Sequence, residues 1–429
     1  MGLFFLIYFF VDKETIISYT FIVSEETLIR SYMYTLNKHA LSFGLFSVFL
    51  TGLGFTIINP VVPFLLEPYT SSQNQPLVIS FLTSIYALCT FLAAPALGTL
   101  SDRYGRKPIL LFCLLGSALG YLIFGMAGAL WIFFLGRIID GISGGNIATL
   151  FAYFSDITPA ASRTKIFGWI SALVGVGTLL GPTFGGLLAH YGNRVPFYFA
   201  AVLSLFNLFY GIFFMPESLS PKERLVKLDP HQLYPFAPLK NLFEIKQLNR
   251  LFLAALLLWL PNGALQAIVA QFSLDNFSWQ PVQIGLLFSI MGLQDIFSQA
   301  LIMPFLLKKL TDQYIIKCAI VAELFGYIFM AVSAFTLHRF YFVIGIFIYG
   351  FGDSIFAPPF NGTLSKSVAE HQQGQIQGGS QALQALTRIL GPIIGGQLYV
   401  LFGSSAPACM GVILLIFALT IFKTKNRQK

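Results

Sequence analysis

The sequence predicts an all-α membrane protein with twelve transmembrane helices arranged as two six-helix pseudo-repeats. Three observations predict it: the composition, the apolar runs and an internal repeat. Of 429 residues, 56% are hydrophobic and only 10% charged, and Phe alone occurs 46 times. A soluble domain is about one quarter charged, so neither a water-soluble enzyme nor a disordered chain fits this composition. The four cysteines (Cys89, Cys113, Cys318, Cys409) stand singly in apolar stretches, with no CxxC pair. They read as packing residues, without a disulfide or a metal site.

A bilayer-crossing helix needs roughly 20 apolar residues. Twelve such runs are present, near 40–66, 77–100, 108–127, 129–152, 163–189, 195–215, 250–272, 282–304, 313–335, 339–360, 374–402 and 406–422. The polar, proline-containing stretch 216–249 divides them six and six. The predicted organisation is an N-terminal extension over 1–33, a six-helix bundle over 34–215, a cytoplasmic linker over 216–249, a second bundle over 250–423 and a tail over 424–429. The extension begins MGLFFLIYFF, too short to span and without the basic start of a signal peptide. It is either an interfacial arm or a region before the true first residue, Met33. The second is preferred, because twelve helices from Met33 close the topology.

The net charge of +8 is an orientation signal. With the N-terminus inside, the inner loops and ends hold 20 Lys and Arg residues. These are Lys38, Arg103, Arg106, Lys107, Arg163, Lys165, Lys222, Arg224, Lys227, Lys240, Lys246, Arg250, Lys308, Lys309, Lys317, Lys366, Lys423, Lys425, Arg427 and Lys429. The outer loops hold only Arg194 and Arg339. This bias puts both termini in the cytoplasm and makes nucleic acid an unneeded partner.

The repeat appears at one offset. Gly181-Pro182-x-x-Gly185-Gly186 in span 5 matches Gly391-Pro392-x-x-Gly395-Gly396 in span 11, 210 residues on. At that offset Asp102 meets Asp312, Tyr104 meets Tyr314, Lys107 meets Lys317 and Gly168 meets Gly378. Two halves of like orientation can face each other across a midplane cavity, the design of alternating access.

Between spans 2 and 3 runs Gly98-x-x-x-Asp102-Arg103-x-Gly105-Arg106-Lys107-Pro108. Gly105 suits a very tight turn, and Pro108 suits a first helical turn. Gly98 is expected to admit a close neighbouring helix. Asp102 is expected to accept from a helix N-terminus, and Arg103 or Arg106 to pair with Asp156. A plain topogenic loop explains Arg106 and Lys107, but not the acid and the glycine spacing. In span 5, Gly177, Gly181, Pro182, Gly185 and Gly186 make a grooved, bent helix. It either gates the cavity or only packs.

The loop resembles the loop 2–3 signature of the major facilitator superfamily. Gly177-x-x-x-Gly181-Pro182-x-x-Gly185-Gly186 resembles that superfamily's antiporter motif, and GRIIDGISGG its basic motif, with Arg137 as the intramembrane arginine. The resemblance covers about 34–422 and is greatest to drug:proton antiporters, within them to bacterial tetracycline efflux proteins. GLGFTIINPVVPFLL, AYFSDITP, MPES and QGQIQGGSQAL support it. It implies the major facilitator fold, a bacterial inner membrane, and a monomer that exports a drug-like small molecule against protons.

Ionisable residues within spans are costly and mark function. Arg137 and Asp140 stand at i and i+3 in span 4 and can pair. Asp295, Glu323, Asp353 and Arg388 lie in spans 8, 9, 10 and 11. Asp140 also has the simpler role of neutralising Arg137, and Asp353 with Arg388 that of a structural pair. Glu323 has no close sequence partner and ranks first as proton site. The resemblance adds that tetracycline efflux proteins carry an acid where Glu323 stands. Thr51 and Gly120 replace acids of that pattern, Asp295 replaces a histidine, and Asp140 is additional.

Asn59, Tyr86, Asn262, Gln266, Gln271, Asn361, Gln381 and Gln384 either line a cavity or bond helices together, roughly half doing each. The abundant Phe suits an aromatic substrate, though lipid contact explains it more simply. Gly141-Ile-Ser143-Gly144-Gly145 matches a G-x-S-x-G elbow but lies mid-helix, with no strand before it. Without a Walker lysine, ATP is not the energy source. No cofactor is expected, and the proton gradient drives exchange. The rivals are a proton-coupled importer of a nutrient or siderophore, and a non-transporting sensor or scaffold.

Overall fold

The computed structural model describes residues 38–159, 162–222, 224–225, 235–236, 248–368 and 373–421. The expectation for residues 1–33 lies outside the described residues, as do Lys227, Lys240, Lys246, Lys423, Lys425, Arg427 and Lys429. The described residues form fifteen α-helices and one π-helical turn, with no strand among them.

In the first half, span 1 is α1 (Lys38–Thr56) with short α2 (Val62–Leu66), span 2 is α3 (Gln75–Tyr104) and span 3 is α4 (Arg106–Met126). Span 4 is α5 (Leu130–Gly144) with α6 (Ile147–Ile157), span 5 is α7 (Arg163–Ala189) and span 6 is α8 (Val195–Phe214). In the second half, span 7 is α9 (Asn249–Phe277). Span 8 is α10 (Pro281–Phe297), the π turn Ser298–Ile302 and α11 (Met303–Lys309). Spans 9 to 12 are α12 (Asp312–Thr336), α13 (Arg339–Lys366), α14 (Gln373–Phe402) and α15 (Ala406–Ile421). Ten of the twelve are long and apolar enough by themselves to cross a bilayer. The others are the broken α5–α6 pair and α15, 16 residues long. Phe112, Phe206, Phe213, Phe335 and Phe417 are all more than half exposed, on surfaces that lipid would cover.

Three spans predicted as continuous helices are interrupted. Span 1 unwinds over Ile57–Val61, because Pro60 has no N–H for the Thr56 carbonyl; the Asn59 N–H takes that carbonyl instead, at 3.1 Å. Span 4 breaks at Gly145-Asn146, where a Cβ on Gly145 would lie 2.9 Å from the Ala94 amide nitrogen of α3. The same glycine string explains the elbow-like match as a packing seam. A Cβ on Gly141 would lie 2.8 Å from the Cys89 Cβ, and Thr90 donates to the Gly141 carbonyl at 2.9 Å. Span 8 widens into its π turn just before Pro304, and the Met303 N–H reaches back to the Ser298 carbonyl.

The proline–glycine motif has two working faces. On one, a Cβ at Gly177 would lie 2.8 Å from the Leu53 amide nitrogen, at Gly181 2.7 Å from the Leu53 carbonyl and at Gly185 3.1 Å from Pro60. Glycines at i, i+4 and i+8 thus seat α1 in a groove of α7. Pro182 leaves the Thr178 carbonyl without its helical donor, and the Thr56 hydroxyl of α1 donates to it at 3.0 Å. The other face meets the second half: a Cβ on Gly186 would lie 2.6 Å from the Pro281 carbonyl. The repeat reproduces both faces. Gly391 and Gly395 seat α9 against α14, while Gly396 meets Ser80 and the Pro76 carbonyl of α3.

The halves therefore join along α7 with α10 and along α3 with α14. All these contacts lie toward the end that carries Arg194 and Arg339. There Ser84 donates to the Ile389 carbonyl at 2.7 Å, and buried Gln271 donates to Gln75 at 3.2 Å. Toward the opposite end, rich in Lys and Arg, Gly98, Gly168 and Gly175 face open space. Among the described residues the halves meet at one end, and no such contact is made at these glycines toward the basic end. Gly98 departs from the expected close helix contact, because nothing among the described residues packs against it.

A Cβ on Gly396 would lie 2.7 Å from the Ser80 Cβ. Disulfides span about 3.5–4.5 Å between Cβ atoms, so a slight adjustment joins them. In a background without the four native cysteines, Ser80→Cys with Gly396→Cys should crosslink under mild oxidation and stop transport until reduced. Failure to crosslink in membranes would contradict the closed end.

Candidate functional site: a polar cavity between the halves and its buried acid

At the basic end, Gly105 alone separates α3 from α4, at φ +105°, a conformation glycine tolerates. Arg106 pairs with Asp102 and, at 3.1 Å, with Asp156, and donates to the Ser101 hydroxyl at 2.7 Å. Its backbone sits where the first turn of α4 leaves N–H groups free. The acid that caps them is Glu217, not Asp102 as expected. Glu217 accepts from the Arg106 and Lys107 amides at 2.8 and 3.2 Å. Arg103 instead lies over the Tyr104 ring. Glu217 belongs to the MPES string after span 6, and Ser218 of that string donates to Asp156 at 2.9 Å. In the second half the same corner is simpler. Lys366, 210 residues after Asp156, pairs directly with Asp312 at 2.6 Å.

The cavity between the halves holds about 500 Å³. Of the predicted polar positions, Asn59, Asn262, Gln266, Asn361 and Gln384 line it, with Asp295, Asp353 and Arg388. Tyr86, Gln271 and Gln381 do not. Tyr86 faces a small cavity within the first half, and Gln271 is sealed at the closed end, where it donates to Asp275 at 2.7 Å. Thr56, Thr178, Trp259, Gln299, Tyr349 and Thr387 also line the main cavity and were not predicted. The prolines beside Thr56 and Thr178 were the available signal, because freed carbonyls attract hydroxyl donors.

Asp353 and Arg388 share this wall but do not form the expected ion pair. Asp353 accepts from the Asn262 amide at 3.0 Å, and Asp295 from Gln299 at 2.8 Å. Behind the wall, Glu323 is 0% exposed, and neither of its carboxyl oxygens has a hydrogen-bond partner among the described residues. It is this enclosed because Gly352 of α13 has no side chain: a Cβ there would lie 2.7 Å from the Glu323 Cγ. One turn along α12, the Tyr327 hydroxyl donates to the Asn262 carbonyl oxygen at 2.9 Å.

The first half treats its buried charges differently. Arg137 and Asp140 pair at 3.4 Å, both almost fully buried, with Arg137 4.4 Å from the centre of the Tyr86 ring. Gly120 makes room for them, since a Cβ there would lie 2.7 Å from the Asp140 Cβ. Ser117 and Tyr121 line the same small cavity as Asp140. The first half also holds two apolar clusters, one around Phe124, Phe133 and Phe197 and the other around Phe43, Tyr153 and Phe154. All four cysteines are free thiols, and no three His, Cys, Asp or Glu residues among the described ones cluster to hold a metal.

Two facing helical bundles, a polar cavity between them and closure at one end define a polytopic membrane protein with the architecture of an alternating-access transporter. The chain belongs to the Major Facilitator Superfamily, whose family model matches residues 44–392 and 251–429. It is 34% identical over 366 residues to the class C tetracycline resistance protein of Escherichia coli, covering 85% of this chain and 90% of the relative. It is 30% identical to multidrug resistance protein 2 of Bacillus subtilis (strain 168), covering 82% and 87%. Among solved structures, the human organic anion transporter MFSD10 shares the fold with a TM-score of 0.65 at 22% identity, covering 90% of this chain and 99% of its own. The partially occluded, inward-open xylose transporter XylE from E. coli does so with 0.66 at 13% identity, covering 92% and 100%.

Glu217→Ala should leave the start of α4 uncapped and destabilise the protein by about 1 kcal/mol, the usual worth of such a cap. A thermal melt of the purified protein would show it as a lowered midpoint. An unchanged midpoint would remove Glu217 from the corner's support.

Proposed function

We propose that this protein expels a small amphiphilic drug, tetracycline-like compounds among them, in exchange for protons. The observation that carries the reading is Glu323: an acid sealed in a spanning helix with no hydrogen-bond or ion-pair partner among the described residues, beside the Tyr327–Asn262–Asp353 chain that ends in the cavity wall. An ionised carboxylate so enclosed is costly, whereas its neutral acid is not. The group is thus suited to carry a proton while the cavity is closed off, and to lose it when water or a donor arrives. The named relatives, tetracycline and multidrug resistance proteins, support export over import and over a scaffold role.

The basic end, where the cavity opens, faces the cytoplasm of a bacterium by the distribution of Lys and Arg. Both termini lie on that side of the inner membrane. A drug enters the cavity from the cytoplasm or the inner leaflet. The halves then rock on the α7–α10 and α3–α14 seams to open the other end. Asp353, Asp295 and Arg388 supply charge in the cavity wall, while Arg137 and Asp140 act inside the first half. The protein works as a monomer without a cofactor, and the proton gradient is its energy source.

In proteoliposomes, Glu323→Gln should reduce tetracycline accumulation driven by a pH gradient to that of protein-free vesicles, while tetracycline counterflow continues. Loss of both activities would instead give Glu323 a role in substrate binding or folding.

A further inference from the structure

Asn262 of α9 stands between two carboxyl groups that differ in surroundings. Its side-chain carbonyl is held by the Tyr327 hydroxyl at 2.9 Å, and its amide donates to Asp353 in the cavity wall at 3.0 Å. The same amide lies beside Glu323, but its hydrogen bond goes to Asp353 and the Glu323 oxygens accept none within hydrogen-bond geometry. Fixing the carbonyl end orients the amide, so its N–H groups are turned toward the two acids. The backbone here is also held in place. A Cβ on neighbouring Gly263 would lie 2.7 Å from the Thr387 carbonyl of α14, so α9 and α14 are in direct contact at this level.

From this arrangement, and resting on the antiport reading above, we infer that Asn262 is the positioning residue through which substrate and proton compete. A cationic or hydrogen-bonding group of the substrate that engages Asp353 displaces the Asn262 amide. The released N–H turns to Glu323 and stabilises its carboxylate, and the Glu323 proton leaves to water in the cavity. No covalent bond other than that O–H changes. In reverse, a proton on Glu323 leaves the amide on Asp353 and disfavours substrate there, as reciprocity of coupling demands. The other ionisable groups facing these acids are Asp295 of α10, Arg388 of α14 and Tyr349 of α13. Asp295 and Arg388 set the field at Asp353.

The test uses the full chain in detergent with tetracycline as probe, reading bound drug and proton release into a weakly buffered dye solution. The unaltered protein should release protons when tetracycline is added. Its tetracycline Kd should change with pH by up to about tenfold per pH unit, the limit for exchange of one proton. Asn262→Leu should bind tetracycline with an affinity nearly independent of pH and should release no proton. Tyr327→Phe keeps the ring and removes only the hydroxyl that orients Asn262, so it should reduce both effects in part. It decides the matter should Asn262→Leu not fold. Variants that release protons and follow pH as the unaltered protein does would overturn the inference and leave the antiport reading standing. No proton release by the unaltered protein would overturn that reading and the inference with it.

Discussion

A charge held away from water without a partner is the constraint from which the rest of this molecule follows. The two halves meet it differently. In the first half Arg137 and Asp140 neutralise each other under the Tyr86 ring, and glycines at 120, 136 and 141 bring the neighbouring helices close around them. In the second half Glu323 is enclosed with no counter-ion, and its nearest polar neighbours lead to the cavity. A buried charge that is paired is satisfied where it stands, whereas an ionised group enclosed without a partner is costly. The two pseudo-equivalent bundles differ in this respect.

The second requirement is that the bundles move against each other without exposing backbone groups to lipid. The proline–glycine motif meets it in both halves. One row of glycines fastens the motif helix to its own bundle, and the last glycine faces the other bundle. The carbonyl freed by Pro182 is taken by Thr56, so the bend costs no lost hydrogen bond. Gly186 and Gly396 make the crossing contacts with no side chain of their own, so backbone meets backbone or a serine across the seam. The close contacts on both faces of the motif helix are packing; gating, the other alternative the sequence left open, is part of the proposed transport cycle.

Much of this was legible in the residues. The span count, the division into halves and the 210-residue offset need only apolar runs and repeated strings. Glu323 stood out because no sequence neighbour could neutralise it, and that absence persists in three dimensions. The missed features join distant parts of the chain. Glu217 caps a helix 111 residues earlier, and Tyr327 orients an amide 65 residues away. The alternative of a structural Asp353–Arg388 pair is not formed among the described residues, because sequence adjacency of spans gives no distance across a cavity. Gly98 failed because nothing among the described residues packs against it, and the helix break at Gly145 depends on what packs beside it.

The most direct test of proton-for-drug exchange is to drive protons with drug alone. Proteoliposomes loaded with tetracycline and a trapped pH dye are diluted into drug-free buffer with no initial pH gradient. Outward flow of the drug should acidify the lumen as protons move inward, and addition of a protonophore should abolish the signal. Alkalinisation would mean that drug and protons move together. Drug efflux with no pH change would mean that no proton is exchanged; either result would contradict the account.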